Sequence, residues 1–205
     1  MSGVVLGNQP IVLASGSRAR RRMLEGAGLE VFTDPAAVDE EEVKHSCKAA
    51  GLKPEEVAEA LAELKANRVA HRYPGLHVIG ADQMLECGGQ WFDKPVDREG
   101  ARAQLLALSG RTHRLISCAV VLHNGARIWH SVDQATLTMR ELSPDFIDRY
   151  LEAAGESVTR SVGAYELEGL GSQLFTRITG DFFTILGLPL LPLLGFLRVR
   201  GVLSP

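Results

Sequence analysis

The sequence is short of cysteine, of long apolar runs and of excess charge of one sign. Its 205 residues include three cysteines, too few and too scattered to indicate a disulfide framework or a zinc cluster. The formal net charge of −3 argues against a broad nucleic-acid-binding surface but leaves room for a local basic pocket. Sparse cysteine favours a reducing compartment, so we expect a cytoplasmic protein.

No stretch is long and apolar enough to predict a membrane span. The most apolar segment, Ile185 to Leu197, has about 13 residues and two prolines, whereas a spanning helix needs roughly 20. It is predicted to be a buried C-terminal helix. Met1 to Pro10 has no basic start and does not resemble a secretory signal. The length fits one domain, or two closely joined lobes, with a sizeable core.

Several catalytic motifs are also missing. The six histidines are dispersed and form no HExxH pattern, which argues against histidine-based zinc catalysis. No G-x-S-x-G elbow surrounds Ser15 or Ser17, so a serine hydrolase is not predicted. The glycine-rich segments do not match a P-loop.

What is present begins with a corner between a strand and a helix. The apolar run Ile11 to Ala14 predicts a strand, and Ser15-Gly16-Ser17 predicts a turn whose N–H groups could face an anion. Four arginines follow within five residues, and arginine binds phosphate in a bidentate way. The alternative is a solvated basic helix face.

Periodicity and turn residues predict alternating strands and helices with two hairpins. Predicted strands are Leu29–Thr33, Leu76–Ala81, Gln83–Cys87 paired with Gln90–Phe92 around Gly88-Gly89, Thr112–Leu122 paired with Ala126–Met139 around Asn124-Gly125, and Ser172–Ile178. Predicted helices are Arg20–Ala27, Pro54–Arg72, a helix from the cap Asp97 to Leu108, one from Ser143-Pro144 to Gly155, and one from Leu188 onward. The acidic run Asp39 to Glu42 predicts a loop.

Four charged residues fall on predicted loops or strand ends, namely Arg20, Glu40, Asp82 and Lys94. Such a set suits a phosphoanhydride, because cations neutralise phosphate oxygens and carboxylates hold a divalent cation or activate water. Each also has a structural interpretation. Asp82 could cap a turn, Glu40 could be solvated and Lys94 could be a surface lysine; Lys65, on a predicted helix, could extend its amine to solvent.

An ordered series of short motifs resembles one family, the Maf-like nucleoside triphosphate pyrophosphatases. The resemblance covers about residues 11 to 198. The motifs are Leu13-Ala14-Ser15-Gly16-Ser17 with its arginines, Val38-Asp39-Glu40, Leu64-Lys65-Ala66, Gly80-Ala81-Asp82, Asp93-Lys94-Pro95, Leu108 to His113, Gly163-Ala164-Tyr165, Glu168-Gly169 and Gly187-Leu188-Pro189.

The resemblance implies one α/β domain over residues 1–205, of the Maf/ITPase-like type. Its elongated mixed sheet would be flanked by helices, with two lobes around a central cleft. It implies hydrolysis of a nucleoside triphosphate to a monophosphate and pyrophosphate, with Mg²⁺ or Mn²⁺. By motif position, Asp82 is the expected general base. Ser15, Arg20, Lys65 and Lys94 are expected to bind phosphate, and Glu40 and Asp82 to hold the metal.

Two departures from the family pattern bear on the substrate. Arg18-Ala19-Arg20 stands where many members have Pro-Arg-Arg, so one arginine is missing unless Arg18 or Arg21 replaces it. Glu168 stands where members that prefer dTTP and UTP have glutamine, and a carboxylate accepts hydrogen bonds that a guanine-type edge can donate. We expect Glu168 to contact the base, and a relaxed or modified-nucleotide preference.

Two other functions stay open at this point. The family is linked to inhibition of septum formation, so the protein could be a regulator of cell division that acts through binding alone. A nucleic-acid-binding module built on the arginine cluster is the second alternative, which the acidic balance and the lack of aromatic repeats oppose. Members often form homodimers, which makes a homodimer a further expectation.

Overall fold

The strands of the chain form one mixed sheet. In the computed structural model, which describes residues 6–204, seven strands are joined in the order β2-β1-β3-β5-β6-β7, with β4 paired to β3. β1 is parallel to β2 and β3, whereas β4 and β7 are antiparallel to β3 and β6. The strands are β1 (Ile11–Leu13), β2 (Val31–Thr33), β3 (His77–Cys87), β4 (Gln90–Phe92), β5 (Thr112–His123), β6 (Ala126–Met139) and β7 (Phe175–Thr179).

Helices connect these strands, which confirms the predicted α/β class. They are α1 (Arg18–Gly26), α2 (Glu40–Ala49), α3 (Pro54–Ala70), α4 (Arg98–Leu108), α5 (Pro144–Ala154), α6 (Phe182–Ile185) and α7 (Leu190–Val199). Short 3₁₀ turns occupy Gly155–Thr159, Val162–Ala164 and Leu170–Leu174. The last of these turns delays β7 beyond its predicted start at Ser172. None of these helices is both long and apolar enough to cross a membrane.

The chain divides into two compact units. The first unit contains Met1–Gln83, Ser117–Asp133 and Gly187–Pro205, and the second contains Met84–Ile116 and Gln134–Leu186. The predicted single domain over 1–205 includes residues 1–5 and 205, which lie outside the described part. The predicted cleft between two lobes stays a prediction.

Both predicted hairpins are confirmed. Cys87 pairs with Gln90 across the Gly88-Gly89 turn. In the second turn, Asn124 and Gly125 have φ values of 50° and 78°, the positive values that a two-residue hairpin turn requires. Capping serine and aspartate residues also act as predicted. Ser143 accepts a hydrogen bond from Phe146 N, and Asp97 accepts one from Gly100 N.

The predicted end of β3 is wrong, and the error concerns Asp82. The sequence placed the strand end at Ala81 and a separate hairpin strand at Gln83–Cys87, but one strand runs from His77 to Cys87. Almost every residue of this strand is buried, so its pattern does not alternate and shows no end at Ala81. Asp82 therefore lies within a strand and does not follow one.

The acidic run was also assigned wrongly, because it begins α2 and does not form a loop. Asp39 caps this helix by accepting a hydrogen bond from Glu42 N at 3.0 Å. Glu40, Glu41 and Glu42 occupy the first helical turn, where negative charge is favoured by the helix dipole. The attraction between these negative charges and the positive end of the helix dipole therefore explains why the segment is helical, although its composition alone predicts a loop.

The apolar C-terminal segment is not one helix. α6 and α7 are separated by a turn at Gly187, whose φ of 101° is strained for any other residue. α7 buries Leu190, Leu193 and Leu197, whereas Leu191 is 58% exposed. The segment is thus amphipathic in its second half, and its burial is only partial.

Close packing of α3 on β3 places one face of the helix against the strand. A Cβ atom on Gly80 would lie 2.0 Å from the Ala62 carbonyl oxygen and 2.8 Å from the Ala66 side chain. Only glycine leaves room for this approach. The contact bears on two predicted site residues, because Lys65 is on the same helix and Asp82 is two residues along the same strand.

Replacement of Gly80 by alanine should lower the free energy of unfolding by about 2–4 kcal/mol, because the added methyl group overlaps helix backbone that cannot move independently. Urea denaturation at constant slope would measure the change. Gly195→Ala is the matched control. Gly195 lies within α7 with open space around it, so this change should stabilise slightly. An unchanged midpoint for Gly80→Ala would contradict the packing argument.

Candidate active site

The corner between β1 and α1 joins a strand, a turn and a helix, as predicted, and its role in anion binding stays a prediction. Ser17 caps α1, its side chain accepting a hydrogen bond from Arg20 N at 3.4 Å. Ser15 lies before the helix, and its Oγ accepts a hydrogen bond from Ser17 N at 3.3 Å. Ser15 is buried, so its hydroxyl is part of the internal structure of the turn.

Arg20 points into the first unit and joins three of its segments. Its Nη1 donates to Ser15 Oγ at 3.0 Å and to the Ala81 carbonyl at 2.9 Å, and its Nε donates to the Gly187 carbonyl at 2.7 Å. The side chain is buried. Arg20 therefore connects the corner, the β3 residue next to Asp82, and the turn before α7.

Nearby carboxylates oppose the effect that burial has on the pKa of the Arg20 guanidinium. Burial lowers the pKa of Arg20, because water no longer solvates its charge, while the charges of Asp82 and Glu40 act in the opposite direction. Arginine stays protonated despite this shift. Arg20 is consequently a permanent positive charge in the electrostatic neighbourhood of both predicted metal ligands.

Lys65 forms the centre of a partly buried ion cluster. Its Nζ lies 2.6 Å from Asp82 Oδ1 and 2.7 Å from Glu40 Oε1. The side chains of Lys65 and Asp82 are 8% and 5% exposed, whereas that of Glu40 is 46% exposed. The cluster thus has a buried carboxylate on β3, a lysine from α3 and a solvent-facing carboxylate from the first residue of α2.

Asp82 has one oxygen engaged and one free of hydrogen bonds. Its Oδ2 is buried and has no hydrogen-bond partner among residues 6–204. A buried carboxylate oxygen without a partner is costly, so it is suited to a ligand proton or a cation. No group of three or more His, Cys, Asp or Glu side chains in the described part is arranged for metal binding. Two carboxylates alone suit Mg²⁺, which commonly takes its remaining ligands from water and phosphate.

The second unit carries the two other predicted site residues. Lys94 and Glu168 are both exposed, on the loop after β4 and in the glycine-rich segment before β7. Gln104 of α4 connects the two segments. Its Nε2 donates to the Asp93 carbonyl at 2.7 Å, and its Oε1 accepts from Gly163 N at 3.1 Å.

Two buried aromatic contacts hold the start of the Glu168 segment. His113 Nε2 and the Tyr165 hydroxyl are hydrogen-bonded at 2.8 Å, and Tyr150 donates to the Ala164 carbonyl at 3.2 Å. Ala164 has a φ of 62°, unusual for a residue other than glycine. Burial lowers the pKa of His113 to about 4 and raises that of Tyr165, so both rings are held neutral near pH 7.

Residues 10–200 match the family described as Maf-like protein. The chain belongs to the Maf-like family. Among its relatives, a protein of Paramagnetospirillum magneticum named nucleoside triphosphate pyrophosphatase is 63% identical, over 95% of this chain and 100% of the relative. One of the same name from Granulibacter bethesdensis is 54% identical, over 95% and 98%. A protein of Mesorhizobium japonicum named 7-methyl-GTP pyrophosphatase is 52% identical, over 96% and 98%.

In this Maf-like chain, the structure brings together every predicted site residue of the first unit. Lys65 forms ion pairs with Asp82 and Glu40, and Arg20 is hydrogen-bonded to Ser15 and to the carbonyl of Ala81, the residue before Asp82. The interpretation in which Lys65 extends its amine to solvent is wrong, because the amine is buried between two carboxylates. Lys94 and Glu168 lie in the second unit, and their roles stay predictions.

Sequence reasoning missed two contributors. The Gly187 carbonyl, which accepts from Arg20, was part of a recognised motif but had no role assigned. Gln104 had no sequence signal at all, since one glutamine on an amphipathic helix is unremarkable without knowledge of the loops that contact it.

The neutral state of His113 makes stability depend on pH. An unfolded histidine titrates near pH 6.5, whereas the pKa of folded His113 is about 4, so the unfolded state binds more protons between these values. Lowering the pH therefore favours unfolding. From pH 7 to pH 5, this residue should cost about 2 kcal/mol of unfolding free energy.

Denaturation midpoints measured across this range would test the effect. His113→Gln should lose less stability on acidification than the wild type, by about the same 2 kcal/mol. His45→Gln is the control, because His45 is exposed on α2. Parallel pH profiles for the wild type and His113→Gln would contradict the assignment.

Proposed function

We propose that this protein is a nucleoside triphosphate pyrophosphatase of the Maf-like family, a hydrolase acting on phosphoanhydrides. It cleaves the bond between the α and β phosphates and releases a nucleoside monophosphate and pyrophosphate. The observation that carries this function is the buried Asp82 carboxylate, which is bound to Lys65 through Oδ1 and has no hydrogen-bond partner for Oδ2 within residues 6–204. The names of relatives that match the chain over nearly its whole length support the same activity.

Asp82 acts as the general base in this proposal. A water molecule attacks the α phosphorus and gives a proton to the carboxylate, while the bond from that phosphorus to the bridging oxygen breaks and pyrophosphate leaves with its electron pair. Oδ2 is the oxygen suited to accept the proton, because Oδ1 already accepts from Lys65. The position of Asp82 within β3 holds the carboxylate on a rigid element.

Phosphate recognition is assigned to Ser15, Arg20, Lys65 and Lys94. Lys65 and Lys94 supply flexible ammonium groups, which suit the oxygens of a triphosphate. Arg20 differs from them, because its Nε and Nη1 atoms already donate hydrogen bonds to other groups of the protein. Its contribution in this proposal is a fixed positive charge and the support of Ser15, whose hydroxyl lies at the N-terminal corner of α1.

We propose Glu40 and Asp82 as the residues that hold a divalent metal, Mg²⁺ or Mn²⁺. Oδ1 of Asp82 and the half-exposed Glu40 carboxylate, which both face the Lys65 ammonium, fit a hard cation that completes its coordination with water and phosphate, and Oδ2 of Asp82 is left for the proton. The metal, when bound, neutralises negative charge on the phosphates.

The proposed substrates are modified or non-standard nucleoside triphosphates, so the protein removes them from the nucleotide pool. Glu168 is the proposed base contact, since its carboxylate can accept hydrogen bonds from the donors of a guanine-type edge. A relative 52% identical to this chain is named 7-methyl-GTP pyrophosphatase, which supports that substrate class.

The remaining elements of the proposal concern location and partners. A cytoplasmic site of action is supported by Cys47, Cys87 and Cys118, all in the described part and all free thiols. The net charge of −3 supports the absence of stable nucleic-acid binding. A homodimer and an effect on septum formation belong to the proposal as family traits, the latter as a consequence of nucleotide hydrolysis.

Replacement of Asp82 by asparagine should lower kcat by about 10²- to 10⁴-fold, because the amide cannot accept the proton from water. Separate assays of pyrophosphate and orthophosphate release, on a nucleotide panel with saturating Mg²⁺, would measure the loss. Glu41→Gln is the control, since Glu41 is exposed in the same helical turn as Glu40. Near-wild-type turnover by folded Asp82→Asn would rule out the base, and orthophosphate as the direct product would overturn the cleavage position.

Replacement of Glu168 by glutamine should shift selectivity from 7-methyl-GTP towards dTTP and UTP by about tenfold or more in kcat/KM, because an amide both donates and accepts hydrogen bonds. Ratios of kcat/KM for the same panel provide the measurement. Glu166→Gln changes a carboxylate of the same segment and should leave the ratio unchanged. Efficient dTTP hydrolysis with rejection of 7-methyl-GTP by the wild type would contradict the guanine-type preference.

A further inference from the structure

The ion cluster of the first unit already contains its own cation. Lys65 Nζ contacts Asp82 Oδ1 at 2.6 Å and Glu40 Oε1 at 2.7 Å, so one ammonium bridges the two carboxylates assigned to the metal. An ammonium group and a hard divalent cation compete for such oxygens, since both are bound by direct contact with negative charge.

The charges of the cluster also balance without a metal. Asp82 and Glu40 are negative, Lys65 is positive, and Arg20 adds a second positive charge that interacts with both carboxylates. A divalent cation placed on these carboxylates would give the cluster an excess of positive charge in a largely buried site. Repulsion from Lys65 and Arg20 would then weaken its binding.

A triphosphate removes this obstacle because it brings several negative charges. Its oxygens can accept the Lys65 ammonium, which frees Asp82 Oδ1 and Glu40 Oε1, and they can complete the coordination of the metal. Metal and nucleotide therefore favour each other's binding, and thermodynamic linkage makes the effect equal in both directions.

We propose that Lys65 is the resident counter-ion of this site and that the divalent metal binds tightly only together with nucleotide, whose phosphates take over the Lys65 ammonium. The identity of the ligand rests on the proposed function. The resident role of Lys65 rests on the two ion pairs alone.

Binding of Mn²⁺ to the nucleotide-free protein tests the first half of this proposal. Free Mn²⁺, followed by electron paramagnetic resonance, gives the affinity without any turnover. Lys65→Met should bind Mn²⁺ about tenfold more tightly than the wild type, or better, because the competing charge is gone. Lys65→Arg retains the charge and should stay weak. Lys48→Met removes an exposed lysine from α2 and should match the wild type.

The second half is tested by repeating the titration with a triphosphate whose α,β bridge is a methylene group. The analogue should raise the Mn²⁺ affinity of the wild type strongly and that of Lys65→Met much less, since the variant has no ammonium to displace. If Lys65→Met does not fold, Lys65→Gln and the wild-type comparison with and without analogue provide the same test. Circular dichroism establishes folding in each case.

Two results would overturn the proposal. One is a folded Lys65→Met that binds Mn²⁺ no more tightly than the wild type without nucleotide. The other is an equal gain from the analogue in both proteins. Failure of the proposed function is distinguishable, because a wild type that hydrolyses no nucleotide of the panel leaves the nucleotide-free comparison of Mn²⁺ affinities intact.

Discussion

The buried ion pair between Lys65 and Asp82 is the interaction on which the candidate site depends. Both side chains are almost fully removed from solvent, so each charge is stabilised by the other and loss of either is costly. The pair also requires α3 to lie directly on β3, and Gly80 permits that approach because any side chain there would meet the helix backbone. The absence of a side chain at Gly80 thus allows Lys65 and Asp82 to come within ion-pair distance.

Arg20 extends this arrangement beyond the pair. Three hydrogen bonds connect it to the turn at Ser15, to Ala81 beside the buried carboxylate, and to Gly187 before α7. Three segments far apart in sequence are thereby held near one carboxylate. In the second unit, Gln104 has a comparable function for the segments that carry Lys94 and Glu168. Gln104 acts through backbone groups alone, whereas Arg20 contacts two backbone carbonyls and the Ser15 hydroxyl.

Local chemistry made much of the fold predictable. The Asn124-Gly125 turn, the capping residues Asp97 and Ser143, and the proline that begins α3 each act within a few residues of themselves, and each prediction is confirmed. Predictions failed where the alternation of apolar and polar residues was absent or where charged residues were taken as the sign of a loop. β3 gives no end signal at Ala81 because nearly all its residues are buried, and the acidic run hides a helix start because its charges complement the helix dipole.

The sequence by itself determined the family, the α/β class and the charged residues that carry the proposed chemistry, since motifs and turn residues are local properties of the chain. Only the tertiary structure decided what those residues do to one another. It placed Lys65 between two carboxylates, left Asp82 Oδ2 without a hydrogen-bond partner in the part of the chain that the structure describes, and committed two nitrogens of Arg20 to the protein itself. The reason is physical: burial and charge pairing depend on contacts between distant segments, and no local pattern encodes them.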